Sequence, residues 1–85
     1  MPKSIRSDGL IELGKAIVNI RQSRNMSQRQ FAESLGYRQT FISKIELGTR
    51  RLDVVEFIVL ARAMNADPVK LLKIVEEATP STQRI

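Results

Sequence analysis

The segment SQRQFAESLGYRQTFISKIELG, from Ser27 to Gly48, constrains the fold of this chain more than any other part of it. It contains two short runs of helical character, and Gly36 stands between them. Ser27 and the glutamine three residues later form the capping-box pattern that begins a helix. Glycine adopts positive φ at no steric cost, so Gly36 allows one helix to end and the next to begin within about three residues. The two predicted helices cover about 28–35 and 39–47, and Gly48 ends the second.

Three other segments have apolar residues at spacings of three and four, which is typical of helices that bury one face. Asp8 and Asp53 are available as N-caps for the first two, and Asp67 followed by proline begins the third. Asn25 tolerates the left-handed conformation that closes a helix, so it marks the end of the first segment. These three predicted helices cover about 9–24, 53–65 and 68–77.

The inward faces of these helices predict a single core. For the first four helices we expect it to contain Leu10, Leu13, Ile17, Ile20, Phe31, Ala32, Leu35, Ile42, Ile45, Val54, Phe57, Leu60, Ala61 and Met64. The apolar residues of the fifth helix are Val69, Leu72, Ile74 and Val75. No segment has the alternation of a strand, so the predicted fold class is all-α, a compact domain of five helices. With 85 residues, 42% of them hydrophobic, one domain is expected. We expect a flexible N-terminal segment at 1–8, the domain at 9–77 and a flexible C-terminal tail at 78–85.

The composition argues against most catalytic chemistry. The chain has no Cys and no His, so it lacks thiolate nucleophiles, imidazole bases and the usual zinc ligands. Its carboxylates are scattered, and no nucleophile stands beside a base. We therefore expect no enzyme, no metal, no cofactor and no small-molecule ligand. No apolar run approaches the roughly 18 residues of a membrane span, and the N-terminal residues lack the apolar run of a secretion signal, so we expect a cytoplasmic protein.

Positive charge is concentrated in the middle of the chain. The net charge is +5, and the segment from Arg21 to Arg51 carries all of it, with seven cations and two anions. Excess positive charge in one region favours a polyanionic partner, and nucleic acid is the commonest one. Aromatic residues, which stack on single-stranded bases, make up only 5% of the chain, and this favours duplex DNA over RNA.

The second helix of the opening segment has two different faces. At 100° per residue, Ile42 and Ile45 define its buried side. The outward side has small and hydrogen-bonding groups, Gln39, Thr40, Ser43 and Lys44. A short helix of this kind suits the major groove of DNA, which is about 12 Å wide and admits one α-helix. Gln bonds adenine, Lys donates to guanine, and Ser or Thr contacts several bases, so we predict that these four residues contact bases.

Together these residues resemble the helix-turn-helix of the Cro/repressor-like (XRE) family. The resemblance rests on the opening SQRQFAESLG, with Ala32 and Gly36 at their expected offsets, on the ending FISKIELG, and on the later stretch FIVLARAMNADPVKLL, so it extends to about Leu72. It implies a lambda-repressor-like, five-helix DNA-binding domain, normally a homodimer, that acts as a transcriptional regulator. Small controller proteins of restriction–modification operons and small phage-type repressors have this single-domain form.

The same resemblance implies roles for individual residues. The four outward residues match the base-reading positions. Arg21 and Glu46 match a partly buried salt bridge that ties the first helix to the third, and such a pair contributes more to orientation than to net stability. Arg38 stands where relatives often have Ser or Thr as a cap, so we expect it to contact a phosphate instead. The expected phosphate contacts are Gln28, Arg38, Arg50 and Arg51.

Some apolar residues of the last two helices remain after the core is filled. They are Val55, Ile58, Val59, Val69 and Leu72. An exposed apolar patch on a small domain usually marks an association surface, so we predict a two-fold homodimer through these side chains. The helix predicted at about 39–47 is the recognition helix, which inserts into the major groove. The recognition helices of the two protomers, about 34 Å apart, would then read a palindromic operator. The alternative is that these side chains complete the core.

The sequence leaves two classes of function open. The first is a sequence-specific DNA-binding regulator, acting as a repressor or a controller. The second is an antitoxin or other protein-interaction module that also binds operator DNA. Both use this domain, and the sequence does not identify the operator or the target genes.

Overall fold

The fold is known from a computed structural model, which describes residues 7–84. Its five helices are α1 (Asp8–Ser23), α2 (Gln28–Leu35), α3 (Gln39–Glu46), α4 (Val54–Ala63) and α5 (Pro68–Ala78). No strand occurs among the described residues. The prediction of an all-α, five-helix fold is therefore confirmed, and each helix end lies within two residues of its predicted position.

The structure describes only part of each predicted terminal segment. Residues 1–6 of the N-terminal segment predicted at 1–8 lie outside the described residues, and Asp8 already belongs to α1. At the other end α5 includes Ala78, and residue 85 is outside the described range. None of the five helices has the length and apolar character needed to cross a membrane.

Local capping begins most of the helices. Ser27 and Gln30 form the predicted capping box at the start of α2. A second capping box joins Asp53 and Glu56, because the Glu56 backbone N–H donates to Asp53 at 2.7 Å. The cap of α1 is Ser7, whose hydroxyl accepts from the Leu10 backbone N–H at 3.3 Å. The prediction of Asp8 as this cap was wrong, because the adjacent serine takes the capping position and Asp8 becomes the first helical residue.

Left-handed residues end the helices where the sequence predicted. Gly36 has φ of 71° and Gly48 has φ of 73°, and Asn25 follows α1 with φ of 58°. At Gly36 the turn is tight, since the Tyr37 backbone N–H donates to the Ala32 carbonyl at 3.0 Å. This turn sets α3 directly against α2.

The core lies where all five helices meet. α1 packs against α3 and α5, α2 packs against α3 and α4, and α4 packs against α5. The largest fully buried side chains are Phe31, Ile17, Ile42, Leu60 and Met64. Ile20, Leu35 and Phe57 are partly buried and pack against this core, and Leu10 is also partly buried. The expected core is therefore largely confirmed.

Two apolar positions differ from expectation. Val54 was expected in the core but is 76% exposed, because it is the first helical residue after the Asp53 cap and lies beyond the packed part of α4. Leu71 is 3% exposed and belongs to the core, together with the partly buried Val75 one turn later. From the sequence, Leu72 and not Leu71 was named among the apolar residues of α5, so Leu71 was missed as a core position.

Candidate nucleic-acid interface

Helix α3 presents one polar face to solvent. Gln39, Thr40 and Lys44 are exposed and Ser43 is partly exposed. On the other side of the same helix, Ile42 and Ile45 are buried at 1% and 3% exposure. The four residues predicted to contact bases therefore share one accessible surface, which we call the reading face (Gln39, Thr40, Ser43 and Lys44).

The amino-terminal end of α3 has no side-chain cap. Arg38 is the N-cap residue, its backbone is extended, and its side chain makes no capping hydrogen bond. The Arg38 side chain is exposed. Its guanidinium therefore lies at the surface beside the first residues of the reading face.

A buried ion pair joins α3 to α1. Arg21 Nε donates to Glu46 Oε2 at 2.7 Å, and a second guanidinium nitrogen donates to Glu46 Oε1 at 3.1 Å. Arg21 also donates to the Met26 carbonyl at 2.8 Å. Both residues are 8% exposed, so the charges are largely removed from water and their hydrogen bonds are satisfied within the protein. The two-pronged geometry orients the last turn of α3 relative to α1.

Gln28, predicted to contact a phosphate, has protein partners in the structure. Its Nε2 donates to Glu46 Oε1 at 2.8 Å, and its Oε1 accepts from Gln39 Nε2 at 3.4 Å. A continuous set of hydrogen bonds thus runs from Arg21 through Glu46 and Gln28 to Gln39. This set links the buried ion pair with the first residue of the reading face.

The two arginines of the loop after α3 have different surroundings. Arg51 is exposed, whereas the Arg50 guanidinium donates to both Glu56 oxygens at 3.1 Å. Arg50 also donates to the Arg51 carbonyl at 2.7 Å, and its guanidinium carbon lies 4.4 Å from the centre of the Phe41 ring. The hydrogen bonds from Arg50, and then the one from the Asp53 backbone, lower the pKa of Glu56 below its ordinary value.

From the sequence, Arg50 was expected to contact a phosphate and was given no partner within the protein, and no role was assigned to Glu56 or Phe41. The local signal at Glu56 was its spacing from Asp53, which indicates a capping box and nothing about the loop before it. The contact between Phe41 and Arg50 depends on how the loop folds back over α3. No periodicity in the sequence encodes that path.

A basic cleft of about 700 Å³ lies between α3 and the loop that follows it. Its lining combines four cations with two aromatic rings: Tyr37, Arg38, Thr40, Phe41, Lys44, Thr49, Arg50 and Arg51. The Tyr37 and Phe41 rings are 4.4 Å apart and inclined at 51°. The cleft brings Arg38 and Arg51 to the same surface as Thr40 and Lys44 of the reading face.

Other arginines of the positive segment are engaged elsewhere. Arg24 donates to the carbonyls of Met64 and Asn65 at 2.9 and 3.2 Å, so it ties the end of α1 to the end of α4. Arg29 forms an exposed pair with Glu33 on α2 at 3.3 Å. The positive charge is therefore divided between structural contacts and the surface around α3.

Several apolar side chains of α4 and α5 are exposed or only partly buried. Val55 and Val69 are each 72% exposed and Leu72 is 57% exposed, while Ile58 and Val59 are partly buried. We call these five residues the apolar patch (Val55, Ile58, Val59, Val69 and Leu72). Ile58, Val69 and Leu72 also line an apolar groove of about 360 Å³ between α1, α4 and α5. The three most exposed members do not complete the core of a single chain.

Comparisons with known proteins agree with this geometry. A family model described as Helix-turn-helix (HTH_3) matches residues 17–71. The chain is 35% identical to Control protein C.SmaI of Serratia marcescens over 60 residues, and this aligned region covers 71% of each chain. Among solved structures, it is similar to an XRE-family like protein from Pseudomonas syringae pv. tomato str. DC3000, with 36% identity, a TM-score of 0.71, and coverage of 85% of this chain and 88% of that one. It is also similar to the restriction-modification controller protein C.AhdI from Aeromonas hydrophila, with 26% identity, a TM-score of 0.68, and coverage of 73% and 94%. The matched region includes the whole of α2, α3 and α4.

Proposed function

Because the chain belongs to the helix-turn-helix family of XRE type, we propose that it binds duplex DNA sequence-specifically as a homodimer and regulates transcription. The proposed function is binding without catalysis. We infer that the protein acts in the cytoplasm, since the DNA it would bind lies there.

The observation that carries this proposal is the exposed polar face of α3 above a buried apolar one. Ile42 and Ile45 fix the helix in the core, so the reading face points away from the protein without loss of packing. Its amide, hydroxyl and ammonium groups are the kinds that read base edges in the major groove. We assign base contacts to all four of its residues.

The surroundings of the reading face supply groups for the DNA backbone. Arg38 and Arg51 are exposed cations on the basic cleft, and both flank α3 in the chain. Gln28 is the first residue of α2, where free backbone N–H groups favour an anion. We assign phosphate contacts to these three residues, which would fix the position of α3 in the groove without specifying sequence.

The apolar patch supports a homodimer. Three of its five side chains are more than half exposed on a small domain, which is typical of an association surface. A two-fold axis through this patch would present two reading faces to one side of a duplex, about 34 Å apart. The operator of such a dimer is a palindrome with half-sites about one helical turn apart.

Similarity to a control protein and to a restriction-modification controller protein favours one particular role. We propose that the chain is a controller protein, which regulates genes of a restriction–modification system. This assignment would be supported if the selected operator lies upstream of such genes and the protein changes their transcription.

Selection of bound sequences from a random duplex library at about 150 mM salt tests the DNA-binding function. We expect an enriched palindrome that is bound at least about a thousandfold more tightly than a scrambled duplex. Recovery of no common sequence, with only weak and salt-sensitive binding, would contradict a sequence-specific regulator.

A further inference from the structure

Arg50 occupies a closed set of contacts between two helices. One side of its guanidinium faces the Phe41 ring of α3 at 4.4 Å, and two of its nitrogens hold the Glu56 carboxylate of α4 at 3.1 Å. The Arg50 side chain is 37% exposed and that of Glu56 is 22% exposed. Arg50 therefore touches the helix proposed to read DNA and the helix that carries Val55 of the apolar patch.

We propose that Arg50 is a positioning residue that fixes the recognition helix relative to the dimerisation surface, and that it is not a phosphate ligand. This inference rests on the proposed DNA-binding function. It departs from the expectation, drawn from the sequence, that both Arg50 and its neighbour contact the DNA backbone.

The contacts oppose a phosphate role for Arg50. Its positive charge is already matched by Glu56, so the pair brings no net charge to a phosphate. To bind DNA, Arg50 would have to leave both the two-pronged carboxylate pair and the aromatic ring. An ionised Glu56 would then remain unpaired near the negatively charged backbone, where like charges repel.

The chemistry of arginine suits a positioning role. Its planar guanidinium matches a carboxylate with two parallel hydrogen bonds and stacks on an aromatic face at the same time. The lowered pKa of Glu56 agrees with a carboxylate that stays ionised in this pair. The Glu56 carboxylate is also held by the Asp53 backbone N–H, which donates to Glu56 Oε1 at 3.0 Å. Phe41, Arg50 and the first turn of α4 therefore form one connected unit.

The same contacts leave the Arg51 side chain at the surface, where DNA can reach it. Arg50 donates to the Arg51 carbonyl at 2.7 Å, which fixes the loop backbone at this point. The Arg51 side chain is exposed. Of the two neighbouring arginines, one thus orders the loop, and the other presents an exposed charge that forms no ion pair with residues 7–84.

The consequence for binding lies in geometry. A dimer reads two half-sites together only if both recognition helices hold the spacing and angle set by the duplex. Loss of the contact between α3 and α4 would loosen that relation in each protomer. The affinity for the specific operator should therefore decrease, whereas the non-specific affinity for the DNA backbone should stay unchanged.

Arg50→Lys and Arg51→Gln separate the two roles. With the selected operator and a scrambled duplex, Kd is measured from about 50 to 300 mM KCl, and each lost phosphate contact should reduce the slope of log K against log salt by about 0.9. Arg50→Lys keeps the charge but loses the two-pronged, stacked geometry, so we expect about tenfold weaker operator binding with unchanged slope and unchanged scramble binding. Arg51→Gln should weaken binding to both duplexes and reduce the slope of log K against log salt by about 1.8 per dimer.

Lys15→Gln is the control for loss of one charge. Lys15 lies on α1 in an exposed pair with Glu12 and belongs neither to the reading face nor to the basic cleft. It should leave the ratio of operator to scramble affinity unchanged. Operator binding by Arg50→Lys at the level of the wild type would overturn the inference, because a charge alone would then suffice.

Glu56→Gln gives an independent test, since glutamine keeps the capping box but loses the ionised partner of Arg50. If Arg50 is a positioning residue, operator binding weakens about tenfold. If Arg50 is a phosphate ligand held back by Glu56, operator binding tightens and its salt slope steepens, and the inference fails.

A wild-type protein that enriches no sequence would overturn the proposed function instead. The positioning role of Arg50 would then be decided by thermal unfolding of Arg50→Lys, Glu56→Gln and the double variant. If the Tm of the double variant is no lower than that of the less stable single variant, Arg50 and Glu56 act as one coupled unit. Strictly additive losses of Tm overturn it.

Discussion

Gln28 of α2 and Glu46 of α3 are joined by a hydrogen bond of 2.8 Å across the helix-turn-helix. The same carboxylate accepts two hydrogen bonds from Arg21, so one side chain of α3 holds the recognition helix against both α1 and α2. Gln28 in turn accepts from Gln39 at 3.4 Å. The position of the first base-reading side chain therefore depends on a buried charge at the far end of its own helix.

Glu46→Ala should be strongly destabilising. It leaves the Arg21 guanidinium buried without its partner, and breaking a buried pair from one side typically costs about 3–5 kcal/mol. Urea unfolding at neutral pH measures the change. Glu33→Ala is the matched control, because Glu33 forms an exposed pair with Arg29 that should be worth less than about 1 kcal/mol. Equal losses in the two variants would contradict the importance of burial.

Lys44→Ala should weaken DNA binding selectively. Lys44 is exposed on the reading face, so its loss should cost about 1–3 kcal/mol at the preferred operator and little on scrambled DNA. Competition binding with the two duplexes measures this difference. An equal loss on both would assign Lys44 to the phosphate backbone instead.

The positions of the helices could be predicted from the sequence because local chemistry fixes them. The capping boxes at Ser27 and Asp53 and the left-handed turn at Gly36 each involve residues close in the chain. Where two adjacent residues had similar chemistry, the prediction named the wrong one. Asp8 was named as the cap that Ser7 provides, and Leu72 was named where Leu71 is the buried leucine of α5.

The finer structure of the candidate site could not be predicted because it depends on contacts between distant residues. Arg50 was expected to face DNA, and its pairing with Glu56 required the loop to return to the start of α4. Gln28 likewise turns toward Glu46, although its side chain was expected to contact a phosphate. Charge and helical periodicity identify the surface but not which of its polar groups are already paired.

Gly14→Ala should separate α1 from α3. A Cβ at this position would clash with the Glu46 carbonyl oxygen and lie 2.7 Å from that of Ile45, and backbone groups within α3 cannot move aside cheaply. We expect a loss of about 1–3 kcal/mol in unfolding free energy, as in other overpacked sites. The adjacent Lys15→Ala, at an exposed helical position, should change stability by no more than about 0.5 kcal/mol. Similar values for both variants would show that the helices do not approach this closely.

The free energy of unfolding should decrease as the pH is lowered through the titration of Glu56. Its pKa is lowered from the ordinary value of 4.5 by the hydrogen bonds from Arg50, so the unfolded chain binds more protons at this site than the folded one near that pH. The stabilisation is present above about pH 4.5 and is lost as pH falls through the folded pKa. Unfolding free energies measured between about pH 6 and pH 3 should decline less steeply for Glu56→Gln than for the wild type. Identical slopes would mean that the pair makes no contribution.

Val55→Glu should convert the dimer to a monomer without unfolding it. Val55 is 72% exposed in the single chain, so a charged side chain there meets water in the monomer but would be buried without a partner at an apolar interface. Sedimentation equilibrium measures the association, and circular dichroism checks that the helices remain. Leu47→Ser is the matched control, because Leu47 is also exposed, at 60%, but lies at the end of α3 outside the apolar patch. A dimer that survives Val55→Glu, or that is lost equally in Leu47→Ser, would place the interface elsewhere. With the interface at the patch, Val55→Glu should also lose most of its operator affinity, because one protomer reads only one half-site.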